Sequence, residues 1–504
     1  MSTTQMVPLL SGSEVRVSPR AAALALPAIL LLAAGLRIGA FWTQTYVLFF
    51  DETLQYFEQG HRVAFGSGVI PWEFHDGIRS WLLPGLIACV MRAAAWFGDD
   101  PLLAIRAVRG LCVMASLVVV AVGFRAGRRH FGLAGAILTG GFCAIWFDLI
   151  YFSSAAMTEV LAAHCAVLAL WLGETDRTRR KLYWIGALFG LALCLRYQYG
   201  PVLAIAAAYQ YRLKANDWTW LFLGGASMLL PFAGVLDAVT WGTPFQSIWM
   251  NFQRNSLDGI AASIGTEPST YFLSYLNVAF LPLPFFLLLA AIGARRFPAL
   301  ALAALATVAM HSLVPHKEVR FIYLALAAAP ILIGLGAARV LDWLATRHGP
   351  RALTAGVPLF LAVAVCLSVF IGTGLLGPRW SFQRGTVHAF LAAHEAPGLC
   401  GLQVRDMAPW KSGGYAYLNR DVPLVFDPPV YEVHLTGVSI PLRFSVERAG
   451  APVLQQRSPI SHAIAEAGHA PDGFAPMACF PGDASPNEPE LCLFRRVAGC
   501  SRPG

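Results

Sequence analysis

"VPHKEVRF" (314–321) stands between the apolar runs "ALALAALATVAM" (299–310) and "IYLALAAAPILIGLG" (322–336). Long apolar runs on both sides of a short ionisable cluster are the pattern of two membrane-embedded helices joined by a tight polar turn. His316, Lys317, Glu318 and Arg320 are costly to place at a membrane boundary, so the cluster asks for a ligand. The same apolar character fills most of the chain. Its 504 residues are 57% hydrophobic and 13% charged, where soluble domains carry about 25% charged residues. One soluble core is excluded, and an all-α polytopic membrane protein is predicted.

Apolar runs near 21–42, 103–124, 133–151, 157–173, 183–195, 200–211, 218–237, 276–293, 297–314, 321–343 and 353–376 predict about eleven transmembrane helices. The first is too long for a signal-peptide core and lacks a small-residue cleavage site, so it reads as a retained span. The net charge of +8 does not point to nucleic acid. The basic residues form short clusters between apolar runs, among them "RAGRRH" (125–130), "DRTRRK" (176–181), "RLK" (212–214) and "RHGPR" (347–351), as the positive-inside rule produces. Arg16 and Arg20 then place the amino terminus in the cytoplasm, and an odd number of crossings puts the carboxyl terminus outside. The run 81–98, interrupted by Pro84 and Arg92, would break that parity if it crossed. It reads as a juxtamembrane or re-entrant helix on the outer side. The runs at 183–211 are short, and "RYQYG" (196–200) between them suggests a broken pair. Arg196 in that break either approaches the outer cavity or faces the cytoplasm.

The layout is therefore a cytoplasmic tail (1–20), a membrane domain (21–376) and an extracytoplasmic soluble domain (377–504). The outer face also carries the loops 43–80 and 238–275 and the turn 316–321. In the tail, charged residues, Pro and Gly rise, and alternating stretches such as "YAYLNRDVPLVF" (415–426) predict strands in a small mixed α/β domain. Cys400, Cys479, Cys492 and Cys500 allow one or two disulfides there, with the pairing open.

The first outer loop reads "FFDETLQYFEQGHRVAFGSGVIPWEFHDGIRSWLLPG" (49–85). Asp51 and Glu52 are adjacent, so on a helix they point about 100° apart, and one acting with the other supporting is preferred to a glycosidase-like pair. A solvated connector is the plain reading of such a loop. The mixture of carboxylates and aromatics at a membrane surface favours a substrate site instead. In the turn, Pro315 suits the first turn of the next helix. His316 and Arg320 would then be four apart and Lys317 and Arg320 three apart, converging on an anion near a helix start. Snorkelling toward lipid headgroups is the competing reading, and Glu318 could pair with either basic neighbour. A carboxylate and a phosphate site on one face suggest sugar transfer from a polyprenyl phosphate to an acceptor hydroxyl. One base and cations for the departing phosphate suffice, because phosphate is a competent leaving group.

These residues resemble glycosyltransferase family 22, the GT-C mannosyltransferases that extend lipid-linked N-glycan precursors and GPI anchors from dolichyl-phosphate-mannose. "DETLQYFEQGHRVAFG" (51–66) and "PWEFHDGIRSW" (71–81) are similar to its acidic pair and Thr-Trp-Glu segments, and "HKEVRF" (316–321) to its His-Lys-Glu signature. "FQRNSLDGIAASIGTEPSTYFLSYL" (252–276) is similar to its Asn…Gly-Thr…Tyr segment. The resemblance implies Asp51 as catalytic base, Glu52, Glu58, His61, Trp72, Glu73 and Arg79 around the acceptor or sugar, and His316, Lys317 and Arg320 at the donor phosphate. Phe49 and Phe50 replace the family's His-Pro, Pro71 its Thr, and Val319 its fourth-position acid, which leaves acceptor and sugar open. The long tail and the high Ala, Leu and Arg usage imply a bacterial member in the inner membrane, using a bacterial polyprenyl phosphate. The expected partners are a polyprenyl-phosphate-sugar donor, a lipid-linked glycan acceptor and membrane lipids. Other expectations are a GT-C transferase of arabinose, galacturonic acid or aminoarabinose onto lipid A or cell-wall glycan, and a polyprenyl-lipid transporter. No spacing specifies a cofactor. Glu52, Glu73 and Asp76 are candidates for a divalent cation beside lipid phosphate.

Overall fold

The computed structural model describes residues 19–43, 46–212, 214–429, 432–435, 441–453, 458–482 and 489–500. Arg16 and most of the amino-terminal tail lie outside the described residues. Every apolar run named above is largely helical, with breaks at Trp146 inside 133–151 and at 280–282 inside 276–293. The helices are Pro19–Thr43, Pro101–Ile145, Thr158–Gly173, Arg179–Leu195, Gly200–Tyr211, Ala215–Trp241, Tyr271–Ala279, Leu283–Ala294, Pro298–Leu313, Tyr323–His348 and Arg351–Leu375. Pro101–Ile145 is two helices broken at Phe131–Gly132, where Gly132 takes φ 63°. Among the described residues, five helices are long and apolar enough to cross a membrane. Two sharply bent pairs, Phe147–Ser154 with Thr158–Gly173 and Tyr271–Ala279 with Leu283–Ala294, raise that number to seven if each is one span. The chain is a multi-pass membrane protein, and Leu82–Ala94, at 13 residues, is too short to cross.

Contacts divide the chain into two units, each gathered from three stretches. The helical unit comprises 1–40, 111–232 and 265–376, and the mixed unit 41–110, 233–264 and 377–504. The helical unit packs as membrane helices do, through small residues that let backbones meet. A Cβ on Gly293 would strike the Leu332 carbonyl, and one on Gly336 the Leu289 carbonyl. Buried polar side chains in this unit serve backbone carbonyls. Buried Arg37 donates to the carbonyls of Ala144 and Cys143 at 3.0 and 3.1 Å, and Ser368 donates to Ile145 at 2.7 Å. These carbonyls end a helix and have no intrahelical partner, a cost that is highest where water is scarce.

In the mixed unit, residues 50–65 form one helix with a π-helical turn at Glu52–Phe57, closed by Gly66 at φ 79°. The tail forms a five-stranded sheet in the order Leu424–Asp427, Leu402–Arg405, His462–Glu466, Leu491–Arg496, Phe474–Phe480. The first three run parallel and the last two pair antiparallel. Helix Arg384–Glu395 accompanies the sheet. Cys479 and Cys492 are directly opposed across two antiparallel strands and form one disulfide, and Cys400–Cys500 forms the other. "YAYL" does not continue the predicted strand: Gly414–Leu418 is a short helix, because a buried carboxylate caps its start. The first loop is part of the same unit as the tail. Gly68–Ile70 pairs antiparallel with Ser445–Arg448, with Val69 opposite Val446.

Candidate functional site

The predicted site residues fall in both units, those of the first loop in the mixed unit and those of the 316–321 turn in the helical unit. In the mixed unit, Asp51 opens the helix 50–65 half-buried, and Glu52 beside it is fully buried. Glu52 Oε2 accepts from the Leu48 N–H at 3.2 Å and pairs with Arg109 Nη2 at 3.2 Å, while Arg109 also donates to the Tyr46 carbonyl at 2.9 Å. The acidic pair is thus divided. Glu52 fixes the entry to the helix, and Asp51 remains on the side where Glu73 and Arg79 act on one another.

Glu73 lies in the short helix Trp72–His75. Its Oε1 accepts from Gln55 Nε2 at 2.7 Å, while Glu73 Oε2 and Gln55 Oε1 have no hydrogen-bond partner among the described residues. Burial and the Asp51 charge push the Glu73 carboxyl up to about 7, against the pull of Arg79 and Gln55. Trp72 is buried beside it. The segment is fixed from outside itself. Arg254 holds Asp76 at 3.0 Å, Asn251 donates to the Ile78 carbonyl at 3.2 Å, and the Trp241 indole donates to the Arg79 carbonyl at 3.1 Å. Phe74, Trp81 and Trp241 pack together, with the Phe74 and Trp81 rings 4.7 Å apart.

Glu58 and His61 point elsewhere. Buried Glu58 accepts from the N–H groups of Val69 at 2.7 Å, Tyr415 at 2.9 Å and Ala416 at 2.8 Å, tying the first helix to its own strand and to the tail helix. Burial pushes its carboxyl up to about 7 against those three donors. The His61 ring lies 2.7 Å from the Ser67 carbonyl and 3.1 Å from Asn419, and burial lowers its pKa. Both hold the tail to the first helix.

In the helical unit, "HKEVRF" does not begin a helix at Pro315. Residues 314–316 bend, and a 3₁₀ turn starts only at Val319, with Glu318 as its cap residue. The Pro315 carbonyl is instead occupied by the Glu267 N–H at 3.0 Å. Lys317 Nζ donates to the carbonyls of Val314 at 2.6 Å, Glu267 at 2.7 Å and Pro315 at 3.4 Å. His316 Nδ1 bonds the Gly265 carbonyl at 3.0 Å. His316 and Lys317 thus staple "GTE" (265–267) to the turn and join two motifs that are 50 residues apart. Lys317 directs its three donors to backbone, so its ammonium shapes the turn.

Arg320 and His316 do converge, on Glu318. Arg320 Nε is 2.7 Å from Glu318 Oε2, Arg320 Nη2 donates to Oε1 at 3.0 Å, and His316 Nε2 is 3.1 Å from Oε1. Burial works to raise the Glu318 carboxyl, but Arg320 and His316 overcome it and bring it to about 2. The Glu318 hydrogen bond in turn raises His316. Two residues outside the predicted set complete the cluster. Glu159 pairs with Arg196 Nη1 at 3.1 Å and lies 3.9 Å from Arg320 Nη1, and the Arg196 guanidinium stands over Phe321 at 5.0 Å from the ring centre. Arg196 therefore belongs with this turn. Glu159 was detectable as an acid beside an apolar run, where an ionisable residue is a functional hypothesis by default. Among the described residues, no group of three or more His, Cys, Asp and Glu side chains is placed to hold a metal ion.

The fold is that of the membrane GT-C glycosyltransferases. The structure of ArnT from Cupriavidus metallidurans bound to undecaprenyl phosphate superposes with a TM-score of 0.60 at 16% identity, covering 94% of this chain and 98% of that one. The Archaeoglobus fulgidus oligosaccharyltransferase, tethered to an acceptor peptide, gives 0.55 at 13% identity, covering 80% and 64%. The model of the Alg9-like mannosyltransferase family matches residues 27–376, and the chain belongs to that family of glycosyltransferases. GPI mannosyltransferase 3 of Yarrowia lipolytica is 28% identical over 426 residues, spanning 80% of this chain and 78% of that protein. The GPI alpha-1,2-mannosyltransferase 3 of Mus musculus is 25% identical, and the match spans 58% of this chain and 55% of that protein.

Proposed function

We propose that the protein is an inverting mannosyltransferase that moves mannose from a polyprenyl phosphate to a hydroxyl of a lipid-linked or membrane-associated glycan. The reaction takes place on the outer face of a bacterial inner membrane, with about eleven crossings and the tail on the same side. Asp51 is the base. The acceptor oxygen attacks the anomeric carbon as its proton passes to Asp51, and the bond to the lipid phosphate oxygen breaks on the opposite side. The lipid monophosphate leaves with the electron pair. A single displacement inverts the anomeric centre, so an α-linked product requires a β-linked donor. His316 and Arg320 hold the departing phosphate, with Lys317 shaping the turn that carries them. Trp72, Glu73 and Arg79, with Gln55, line the acceptor or sugar pocket, where the unpartnered oxygens of Glu73 and Gln55 can meet sugar hydroxyls. Glu52, Glu58 and His61 hold that pocket in place. A divalent cation beside the phosphate is not required by this scheme.

Family membership together with Asp51, separated from the buried Glu52–Arg109 pair and left beside Glu73, supports this reading most directly. The test uses purified wild type and Asp51→Asn in detergent, with a short-chain polyprenyl-phosphate-mannose and native membrane lipid. Transfer of labelled mannose should fall by about 10²–10⁴-fold in the variant while donor binding persists. Turnover of another lipid-linked sugar but not mannose would move the specificity. Donor binding without turnover of any sugar would favour transport.

A further inference from the structure

Arg196 and Arg320 come from distant parts of the helical unit and share the carboxylate of Glu159, at 3.1 and 3.9 Å. All three side chains are buried. Arg196 occupies the break between helix Arg179–Leu195 and the 3₁₀ turn Tyr197–Tyr199, with φ −144° and ψ 88°, so no helix directs its side chain back along its own axis. Its Nη1 reaches Glu159, its Cζ stands 5.0 Å from the centre of the Phe321 ring, and its Nε has no hydrogen-bond partner among the described residues. A buried guanidinium carrying an unused donor is expensive unless an anion can complete it. His311, whose ring is 6.1 Å from Phe321, and Tyr199, whose hydroxyl donates to the Glu159 carbonyl at 3.2 Å, also stand near this point, and Glu318 holds Arg320 from its other side at 2.7 Å.

We infer that Arg196 and Arg320 form a two-guanidinium anion site in which Glu159 is the counter-ion they share, Glu318 is a second counter-ion on Arg320 alone, and a lipid-linked phosphate is the ligand that displaces Glu159. The inference rests on the proposed lipid-phosphate donor and adds Arg196 and Glu159 to its site. Arginine presents planar, paired donors that match phosphate oxygens, and two such groups at one carboxylate already have the spacing that a second anion needs. Glu159 keeps the guanidinium groups apart from one another's repulsion when the site is empty of lipid. It also competes with the phosphate, and this distinguishes it from a purely structural acid.

The probe is a short-chain polyprenyl monophosphate, without sugar, titrated into wild type, Arg196→Gln, Arg196→Lys, Arg320→Gln and Glu159→Gln, with thermal unfolding recorded for each. Arg196→Gln should weaken binding by about tenfold or more, Arg196→Lys should recover part of it, and the donor KM should rise accordingly. Glu159→Gln should bind the lipid phosphate more tightly although it unfolds at a lower temperature. Inorganic phosphate at the same concentration should compete poorly, because the chain contributes to the lipid's affinity. Unchanged binding in Arg196→Gln, with loss in Arg320→Gln, would remove Arg196 from the site and leave the donor reading standing. Loss in Glu159→Gln equal to that in Arg196→Gln would overturn the counter-ion role. No binding by wild type would overturn the donor reading itself.

Discussion

Glu58 and Glu73 in the mixed unit and Glu318 in the helical unit are one side chain in three sheltered settings, with opposite results. Burial dominates at Glu58 and Glu73 and pushes both carboxyls up to about 7, although three backbone N–H groups serve the first and Gln55 serves the second. Burial acts in the same direction at Glu318, yet the carboxyl falls to about 2 because Arg320 and His316 meet it directly. Depth alone therefore does not set the charge of these acids. The deciding difference is a cation within hydrogen-bond reach, which Glu318 has in Arg320 and His316.

The largest test of that contrast removes the cation. Arg320→Ala takes one guanidinium from Glu318, which is a quarter exposed, and from buried Glu159, and losing hydrogen bonds to charged groups costs about 1.5–3 kcal/mol. A clear drop in the detergent unfolding midpoint is expected, larger than for Glu73→Gln. An unchanged midpoint would mean that the cluster does not hold the turn.

The pH dependence should differ in sign between the units. Glu58 and Glu73 bind protons more readily folded than unfolded, so their stabilisation is complete below about pH 4.5 and is lost as pH rises toward 7. For Glu58 the shift corresponds to roughly 3 kcal/mol. Glu318 behaves oppositely: its contribution is present above about pH 4.5 and disappears as pH falls toward 2. Unfolding midpoints of Glu73→Gln should therefore flatten the wild-type decline between pH 4.5 and 7, and Glu318→Gln should flatten the acid limb. The same slope in both variants would dissolve the comparison.

The two regions also differ in how much of them could be read from residues alone. Apolar runs are local, so each predicted run is helical, although 133–151 and 276–293 each break into two helices, and Asp51, Glu73 and Arg79 come together because a few turns of adjacent chain carry them. The turn was harder. Its helix start at Pro315 depended on short-range rules, whereas the backbone there is committed to Glu267 and Lys317 through a contact 50 residues away in sequence. Glu58 was legible as a family position around the acceptor or sugar, whereas its hold on Tyr415 and Ala416 was not, because these partners are more than 350 residues downstream. Glu159 and Arg196 each stood as single ionisable residues by apolar runs, and only the fold brings them to Arg320.

That tail contact predicts an intermediate effect. Glu58→Gln offers one acceptor oxygen where the carboxylate offered two, and turns an amide N–H₂ toward backbone donors. At least one of the Val69, Tyr415 and Ala416 N–H groups is left unsatisfied, at about 1–3 kcal/mol. Limited proteolysis of the tail, followed alongside the unfolding midpoint, should show earlier cleavage in this variant. Equal cleavage would mean that the sheet and its two disulfides hold the tail without help from the first helix.

The smallest effect belongs to a pair that looks just as close. Arg62 and Glu447 join the first helix to the Ser445–Arg448 strand at 2.7 Å, shorter than any of the Glu159 contacts. Both side chains remain about a quarter exposed, so water screens their attraction and already solvates either partner when the other is removed. Arg62→Ala should therefore change stability by less than about 1 kcal/mol, with a further decrease in the effect as salt is raised. A loss comparable to that of Arg320→Ala would show that this contact is drier than its exposure implies, and that distance rather than desolvation ranks the ion pairs of this protein.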